Sequence, residues 1–250
     1  MIYFKANFNT PIKNINTLIT TRFGGHSISP YNSFNIATHV GDNLDNVMKN
    51  RQILNHTIKK EIIWLNQTHS DQVLDLINND IPNTISSHDA VLINNNKQVA
   101  SIMTADCKVL LVTNKKGEFV MAIHAGWQGV LNGIIFSAIN SLVINNYNLN
   151  DVYVYFGPSI CSNHFIIKDD VRDKFITSNR NYSKYITSIN NASYKCDLDA
   201  IVIDQLVSLG LNKNNFSFSN FCTMCRSDLF FSYRLDGNTG RIASLIWIDK

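Results

Sequence analysis

Apolar positions along the chain fall into two patterns. Residues 18–21, 90–93, 109–112, 119–123, 152–156 and 243–248 form short, nearly continuous hydrophobic runs, which predicts strands buried on both faces. Residues 44–55, 129–142, 168–176 and 199–209 repeat their apolar positions at helical spacing. Asp42 and Asp197 stand where caps are expected near two helix starts, and Gly210 suits the end of the last helix. Asparagine-rich patches at 94–96 and 188–191 read as loops. Strands and helices mix without the regular alternation of a doubly wound sheet. The fold class expected is therefore α+β, a layered mixed or antiparallel sheet core with surrounding helices.

Nothing in this pattern divides the chain. There is no repeat and no shift of composition, and the four prolines are scattered, so residues 1–250 are read as a single domain. A hydrophobic fraction of 45% with 16% charged residues is that of an ordinary soluble globular protein. The formal charge of +3 is mild and no lysine or arginine block concentrates it, which gives no ground for nucleic acid or an acidic membrane as partner. The N-terminal residues lack the basic start, apolar run and small-residue site of a signal peptide. The most apolar stretch, 129–144, is interrupted by Asn132 and Asn140 and is too short to span a bilayer. A cytoplasmic location is expected, with no membrane partner and a monomer as the default state. Five cysteines, an odd number without a secretory signal, argue for reduced thiols that act as ligands, nucleophiles or small buried apolar groups.

Reactive side chains concentrate where apolar runs end. The segment TADC at 104–107 precedes one strand and AIHAGWQG at 122–129 closes the next. Two adjacent strands would hold Cys107 and His124 side by side, although seventeen positions separate them. Gly126 and Gly129 permit close backbone approach beside His124. Such a pair supports two chemistries. The imidazole can raise the thiolate fraction and make a nucleophile, or both groups can bind a metal that needs a third ligand. His69, in QTHSD at 67–71, follows the apolar residues 62–65 and is the natural third candidate. Cys107 as a buried apolar thiol and His124 as a satisfied core histidine are the plain alternatives, and the residues alone do not choose.

Ordered motifs run nearly end to end: TRFGG at 21–25, YNSFN at 31–35, HVGD at 39–42, Asn50 with Arg51, QTH at 67–69, ADC at 105–107, HAGW at 124–127 and GPSI at 157–160. Cys222 with Thr223, DLFFSYR at 228–234, Asp236 with Gly237, TGR at 239–241 and ASLIW at 243–247 complete the series. On these the chain resembles the YfiH-like family, whose members carry the names laccase domain, purine nucleoside phosphorylase and peptidoglycan-editing factor. The resemblance implies an α+β fold like the catalytic domain of cytotoxic necrotizing factor toxins. It implies Zn2+ held by His69, Cys107 and His124, with copper the less favoured metal. Three protein ligands leave a position open, as in a catalytic zinc site. The activity implied is phosphorolysis of adenosine, inosine and S-methyl-5'-thioadenosine, with adenosine deaminase activity beside it, so the partners are purine nucleosides and phosphate.

Around those ligands each candidate has two readings. Asp106 can orient a ligand or act as an acid/base group, or simply bond backbone at a turn. Arg22 and Arg51 are candidates for phosphate, with ion pairs as the alternative, and Trp127 and Phe231 can stack on a purine or fill a core. The CxxC of Cys222 and Cys225 has no second CxxC partner and reads as structural, and His26, His39, His56, His88 and His164 read as surface or core residues. Four departures from the family pattern stand out. Gln128 and Leu235 replace common arginines, Ser70 replaces a glycine, and residues 159–164 depart from a segment containing glycine and cysteine. A lost guanidinium is a lost bidentate anion contact, so phosphate affinity is where the first two matter. Multicopper oxidases pair histidines as His-x-His, and none of the seven histidines here is so placed. Two other readings are a hydrolase with Cys107 as nucleophile and His124 as base, and a factor acting on peptidoglycan precursors.

Overall fold

The computed structural model describes residues 1–77 and 79–249. In chain order the first elements are β1 (Tyr3–Phe4), β2 (Ile15–Thr20), α1 (Leu44–Ile58), β3 (Glu61–Ile63), β4 (Val73–Asp75), β5 (Ala90–Ile93), β6 (Gln98–Thr104), β7 (Lys108–Asn114) and β8 (Val120–Ala125). There follow α2 (Trp127–Asn132), α3 (Ile134–Ile144), β9 (Val152–Phe156), β10 (Ile166–Ile167), α4 (Asp169–Ser178), β11 (Ile186–Asn190), β12 (Ser193–Cys196), α5 (Leu198–Ser208), β13 (Phe216–Phe218), α6 (Tyr233–Asp236) and β14 (Ile242–Ile248).

Two sheets make the core. One runs β1-β2-β14-β6-β3 and the other β13-β9-β7-β8-β5-β4, each mixing antiparallel with parallel pairs. Alternation along the strands assigns their faces. In β8, Val120 and Ala122 join Ile19, Ala100, Ile102, Val109, Leu111 and Ile246 in an apolar layer between the sheets. Met121 and Ile123 point the other way, onto Ile134, Ile135 and Ala138 of α3 and Ile201 of α5. The outer face of the first sheet is covered by α1 through Leu54 and Ile58. With both faces buried, these strands need continuous apolar sequence, and each fully buried aliphatic side chain adds roughly 1.5–3 kcal/mol. The result is a helix–sheet–sheet–helix sandwich, the α+β layering the sequence implies.

Local chemistry adjusts several boundaries. The helix expected at 129–142 is two helices, because Gly133 adopts φ 103° and lets α2 stop and α3 start. Asn43, not Asp42, caps α1, accepting from the Asn46 amide, while Asp42 accepts from the Asn43 amide and from Asn35. Asp197 does cap α5. Residues 188–191, assigned to a loop by their asparagines, fall on β11 and its turn in a small third sheet, β10-β12-β11. Most of β11 is exposed, so it has no buried face to leave an apolar pattern. No helix among the described residues is long and apolar enough to cross a membrane.

Candidate metal centre

The antiparallel pairing of β7 and β8 sets Val109 opposite His124. That register brings Cys107, just before β7, to the same sheet end as His124. His69 arrives from the other sheet, on the loop leaving β3. The Gln67 side chain docks this loop on β6, donating to the Met103 carbonyl at 2.9 Å and accepting from the Met103 amide at 2.8 Å. The ligand atoms of His69, Cys107 and His124 lie within 4.8 Å of one another, with Cys107 Sγ 3.7 Å from His69 Nε2. Gly126 makes this approach possible. A Cβ there would stand 2.5 Å from His69 Cδ2 and 3.3 Å from Cys107 Sγ.

A residue the sequence reading passed over organises the cluster. Asp89, fully buried, accepts from His124 Nδ1 at 2.7 Å and from the amides of Thr68, His69 and Ser70. The Ser70 hydroxyl donates to it as well, so the serine that replaces a family glycine is bonded into this support. By engaging Nδ1, Asp89 leaves Nε2 of His124 for a ligand role, the arrangement found behind metal-binding histidines. His69 sits at φ 62°, a left-handed conformation held by its amide on Asp89 and by Asn132 Nδ2 on its carbonyl. The signal for Asp89 was its place immediately before the apolar run at 90–93, where a carboxylate at a buried strand end needs partners.

Electrostatics follow from this geometry. Burial would raise the Cys107 thiol, but the charges and hydrogen bonds of His124 and His69 outweigh it and bring it down to about 6. Burial also opposes charge on His124, yet the Cys107 thiolate and Asp89 carry it up to about 9. Asp89 is pushed up by burial and pulled down further, to about 2, by His124 and Ser70. Near neutral pH the three groups form a carboxylate–imidazolium–thiolate chain. A cation bound there would have to displace the imidazolium proton, so its affinity would fall with falling pH.

The cluster lines a cavity of about 490 Å3, a size within the range of small-molecule sites. Trp127, Phe165, Tyr233, Gln128, Arg234, Arg241 and the exposed His39 also line it. Although its outer edge is exposed, partial enclosure of the ring, with the nearby charges of Arg241 and Arg51, lowers the pKa of His39. Arg234 bonds the carbonyls of His164 and Ile166 through Nη1, and Arg241 bonds those of Thr239 and Gly240. These two, not Arg22 and Arg51, are the cavity's arginines. Arg22 bonds the carbonyls of Asn32 and Ser227, and Arg51 bonds that of Ile36 and lies 4.2 Å over Trp64. Asp106 lines the cavity, but its carboxylate is occupied by the Thr223 and Ser232 hydroxyls and the Arg234 amide, which ties the 223–234 segment to the sheet end. Phe231 is buried in the layer between the sheets.

A second group gathers residues that the sequence reading kept apart. Cys161, His164, Cys222 and Cys225 place their ligand atoms within 4.8 Å of one another. The partner missing from the CxxC is thus a Cys-x-x-His, and His164 is neither a plain surface nor a plain core histidine.

Comparison with known proteins agrees with this architecture. Residues 16–249 match the family described as multi-copper polyphenol oxidoreductase laccase. A purine nucleoside phosphorylase of Haemophilus influenzae is 36% identical over 97% of this chain and 98% of its own length. The purine nucleoside phosphorylase YfiH of Escherichia coli is 32% identical over 94% and 95%. Among solved structures, Neisseria meningitidis protein NMB0706 superposes with a TM-score of 0.90 at 34% identity, covering 99% of both chains. Bacillus licheniformis hypothetical protein YfiH gives 0.87 at 26%, over 94% and 93%. Sequence, fold and extent of match coincide over almost the whole length, and the chain belongs to the YfiH-like laccase-domain family.

Proposed function

We propose that the protein is a zinc-dependent purine nucleoside phosphorylase acting on adenosine, inosine and S-methyl-5'-thioadenosine. One observation carries the reading: His69, Cys107 and His124 converge in a cavity that is also lined by aromatic side chains and two arginines. The names of the relatives supply the reaction class. Two imidazoles and a thiolate suit Zn2+, and the 3.7 Å between Cys107 Sγ and His69 Nε2 is close to the ~3.5 Å edge of a tetrahedron built on usual zinc bond lengths. Oxygen chemistry at several coppers calls for a larger histidine set than either cluster among the described residues contains. When bound, the ion would supply a Lewis acid towards a substrate or phosphate oxygen.

The chain's own groups account for the rest. Trp127 and Tyr233 line the cavity and are the candidates to stack on a planar base. Arg241 and Arg234 each fix Nη1 of the guanidinium on carbonyls, and their remaining N–H groups are the candidates for an anion in the cavity. In phosphorolysis the bond from ribose C1' to the purine nitrogen breaks and a bond from C1' to a phosphate oxygen forms. The proton given up by phosphate ends on the purine, and His39, whose pKa is lowered, lines the cavity as the candidate to relay it. Asp106 holds the wall and takes no proton in this scheme, its oxygens being already bonded.

Adenosine deaminase activity would use the same cavity and is read in the same assay. Adenosine and inosine are incubated with and without phosphate. Free base with ribose 1-phosphate, only when phosphate is present, is the expected result, and inosine formed from adenosine without phosphate reports deamination. Absence of base release, or release indifferent to phosphate, would sink the proposal. The Cys–His hydrolase reading has its own support in the lowered Cys107 thiol. It requires a covalent adduct on Cys107 and tolerates loss of His69, whereas the zinc reading tolerates neither the adduct nor the loss.

A further inference from the structure

The second cluster sits on two loops. Cys161 and His164 bracket the turn between β9 and β10, and Cys222 and Cys225 bracket the turn that follows β13. Each turn carries its reactive side chains at the first and fourth positions. In the first, the His164 amide donates to the Cys161 carbonyl, and in the second the Arg226 amide donates to the Cys222 carbonyl. The backbone joins the turns, with the Thr223 amide on the Ser159 carbonyl.

His164 Nδ1 lies 3.4 Å from Cys161 Sγ, 3.4 Å from Cys225 Sγ and 3.7 Å from Cys222 Sγ. A zinc tetrahedron with bonds of ~2.3 Å to sulfur and ~2.0 Å to nitrogen has N···S edges of ~3.5 Å. One imidazole nitrogen is thus nearly equidistant from three sulfurs, at the spacing of a shared central ion. Two amides, those of Cys161 and Cys225, also point at Cys222 Sγ from 3.3 and 3.5 Å. N–H donors aimed at sulfur stabilise a thiolate and serve as supporting contacts around a metal-bound cysteine. All five cysteines are free thiols, so no disulfide accounts for the gathering.

We propose that Cys161, His164, Cys222 and Cys225 form a second, closed Zn2+ site that is structural. Three sulfurs and one nitrogen fill a tetrahedron and leave no position for a substrate. Ion uptake releases to solvent the protons that the thiols still carry, and the bound ion links segments 61 residues apart. The link fastens one wall of the cavity. Phe165 lines the cavity beside His164, the His164 carbonyl accepts from Arg234, and Thr223, between the two cysteines, donates to Asp106. The site is independent of the proposed phosphorylase activity, because none of its four side chains lines that cavity.

The test is metal content per chain in the full-length protein, purified under reducing conditions and dialysed against a weak chelator, read by elemental analysis. One equivalent of zinc should disappear in Cys225→Ser and in His164→Ala and persist in Cys107→Ser. With both clusters filled the wild type holds two equivalents. If the first cluster holds no zinc, the wild type holds one, still removed by Cys225→Ser and untouched by Cys107→Ser. Cobalt offered to metal-stripped wild type reads the site without a variant. It should give intense tetrahedral d–d bands and sulfur-to-cobalt charge transfer that remain in Cys107→Ser. Zinc content unchanged by Cys225→Ser and His164→Ala would overturn the proposal. So would iron or copper in this site, or a disulfide among the three cysteines in the freshly purified chain.

Discussion

The two clusters use similar atoms in opposite settings. His69, Cys107 and His124 stand at the end of the sandwich, His124 on β8, Cys107 just before the paired β7 and His69 on a loop pinned to the facing sheet. Their backbone is strained at His69, their support is one buried carboxylate, and a cavity lies in front. Cys161, His164, Cys222 and Cys225 stand on turns, with Cys225 exposed, and amides rather than a carboxylate face the sulfur. The first gathers three donors and leaves room. The second gathers four and leaves none. The contrast teaches that a ligand count means little without the element carrying each ligand: strand ends hold a geometry open, whereas facing turns close on whatever they bind.

The sharpest break of this contrast is removal of a donor from the first cluster. Cys107→Ala or His124→Ala should cut phosphate-dependent nucleoside cleavage by on the order of 10²–10³-fold or more, the scale of losing a principal electrostatic group, and leave the second cluster's zinc in place. Activity within tenfold of wild type would end the catalytic assignment. Asp89→Asn comes next, with metal affinity or kcat/KM falling about 10–100-fold in a titration or rate assay.

Asp89 also gives the contrast a pH dependence. Its folded carboxyl is held down at about 2, below the ~3.9 of an unfolded aspartate. Its contribution to stability is therefore complete above pH ~4 and is lost as pH falls through about 2. In urea unfolding of metal-free protein, wild type should lose more stability between pH 5 and 3 than Asp89→Asn does. Parallel losses would show that the carboxylate does not carry the linkage.

Smaller effects probe the cavity rim. Arg241→Met should raise KM for phosphate about tenfold with a lesser change in kcat, as expected for losing one charged hydrogen-bonding group. An unchanged phosphate KM would move the anion elsewhere. Gln128→Arg restores a guanidinium to the lining and should lower that KM a few-fold. Leu235 is exposed and outside the lining, so Leu235→Arg should change neither kinetics nor stability beyond ~0.5 kcal/mol.

What the sequence displayed and what it hid follows the same physics. The runs at 90–93 and 152–156 coincide with β5 and β9 because strands buried on both faces must be apolar throughout. β11, mostly exposed, carried no such mark. Cys107, His124 and His69 were legible as reactive groups at the ends of apolar runs. Asp89 left only a faint sign, its place just before the run at 90–93, which shows that it needs partners but not which residues supply them. Arg241 and Arg234 were hidden likewise, being brought to the cavity by the return of the C-terminal strand, while Arg22 and Arg51 are bonded to carbonyls elsewhere. The pairing of Cys161 and His164 with Cys222 and Cys225 spans 61 residues, and no short-range pattern reports contact at that separation.

Asp89 receives the side chain of His124 and the amides on either side of His69 together with its own. The His124 ring and the His69 backbone are in effect measured from a common origin, so a displacement of the carboxylate moves them together rather than separately. Errors at the ring of one ligand and the anchor of the other are then correlated, and their separation is better preserved than the position of either. A binding site built this way tolerates thermal wobble of the whole assembly while resisting the relative drift that would spoil coordination.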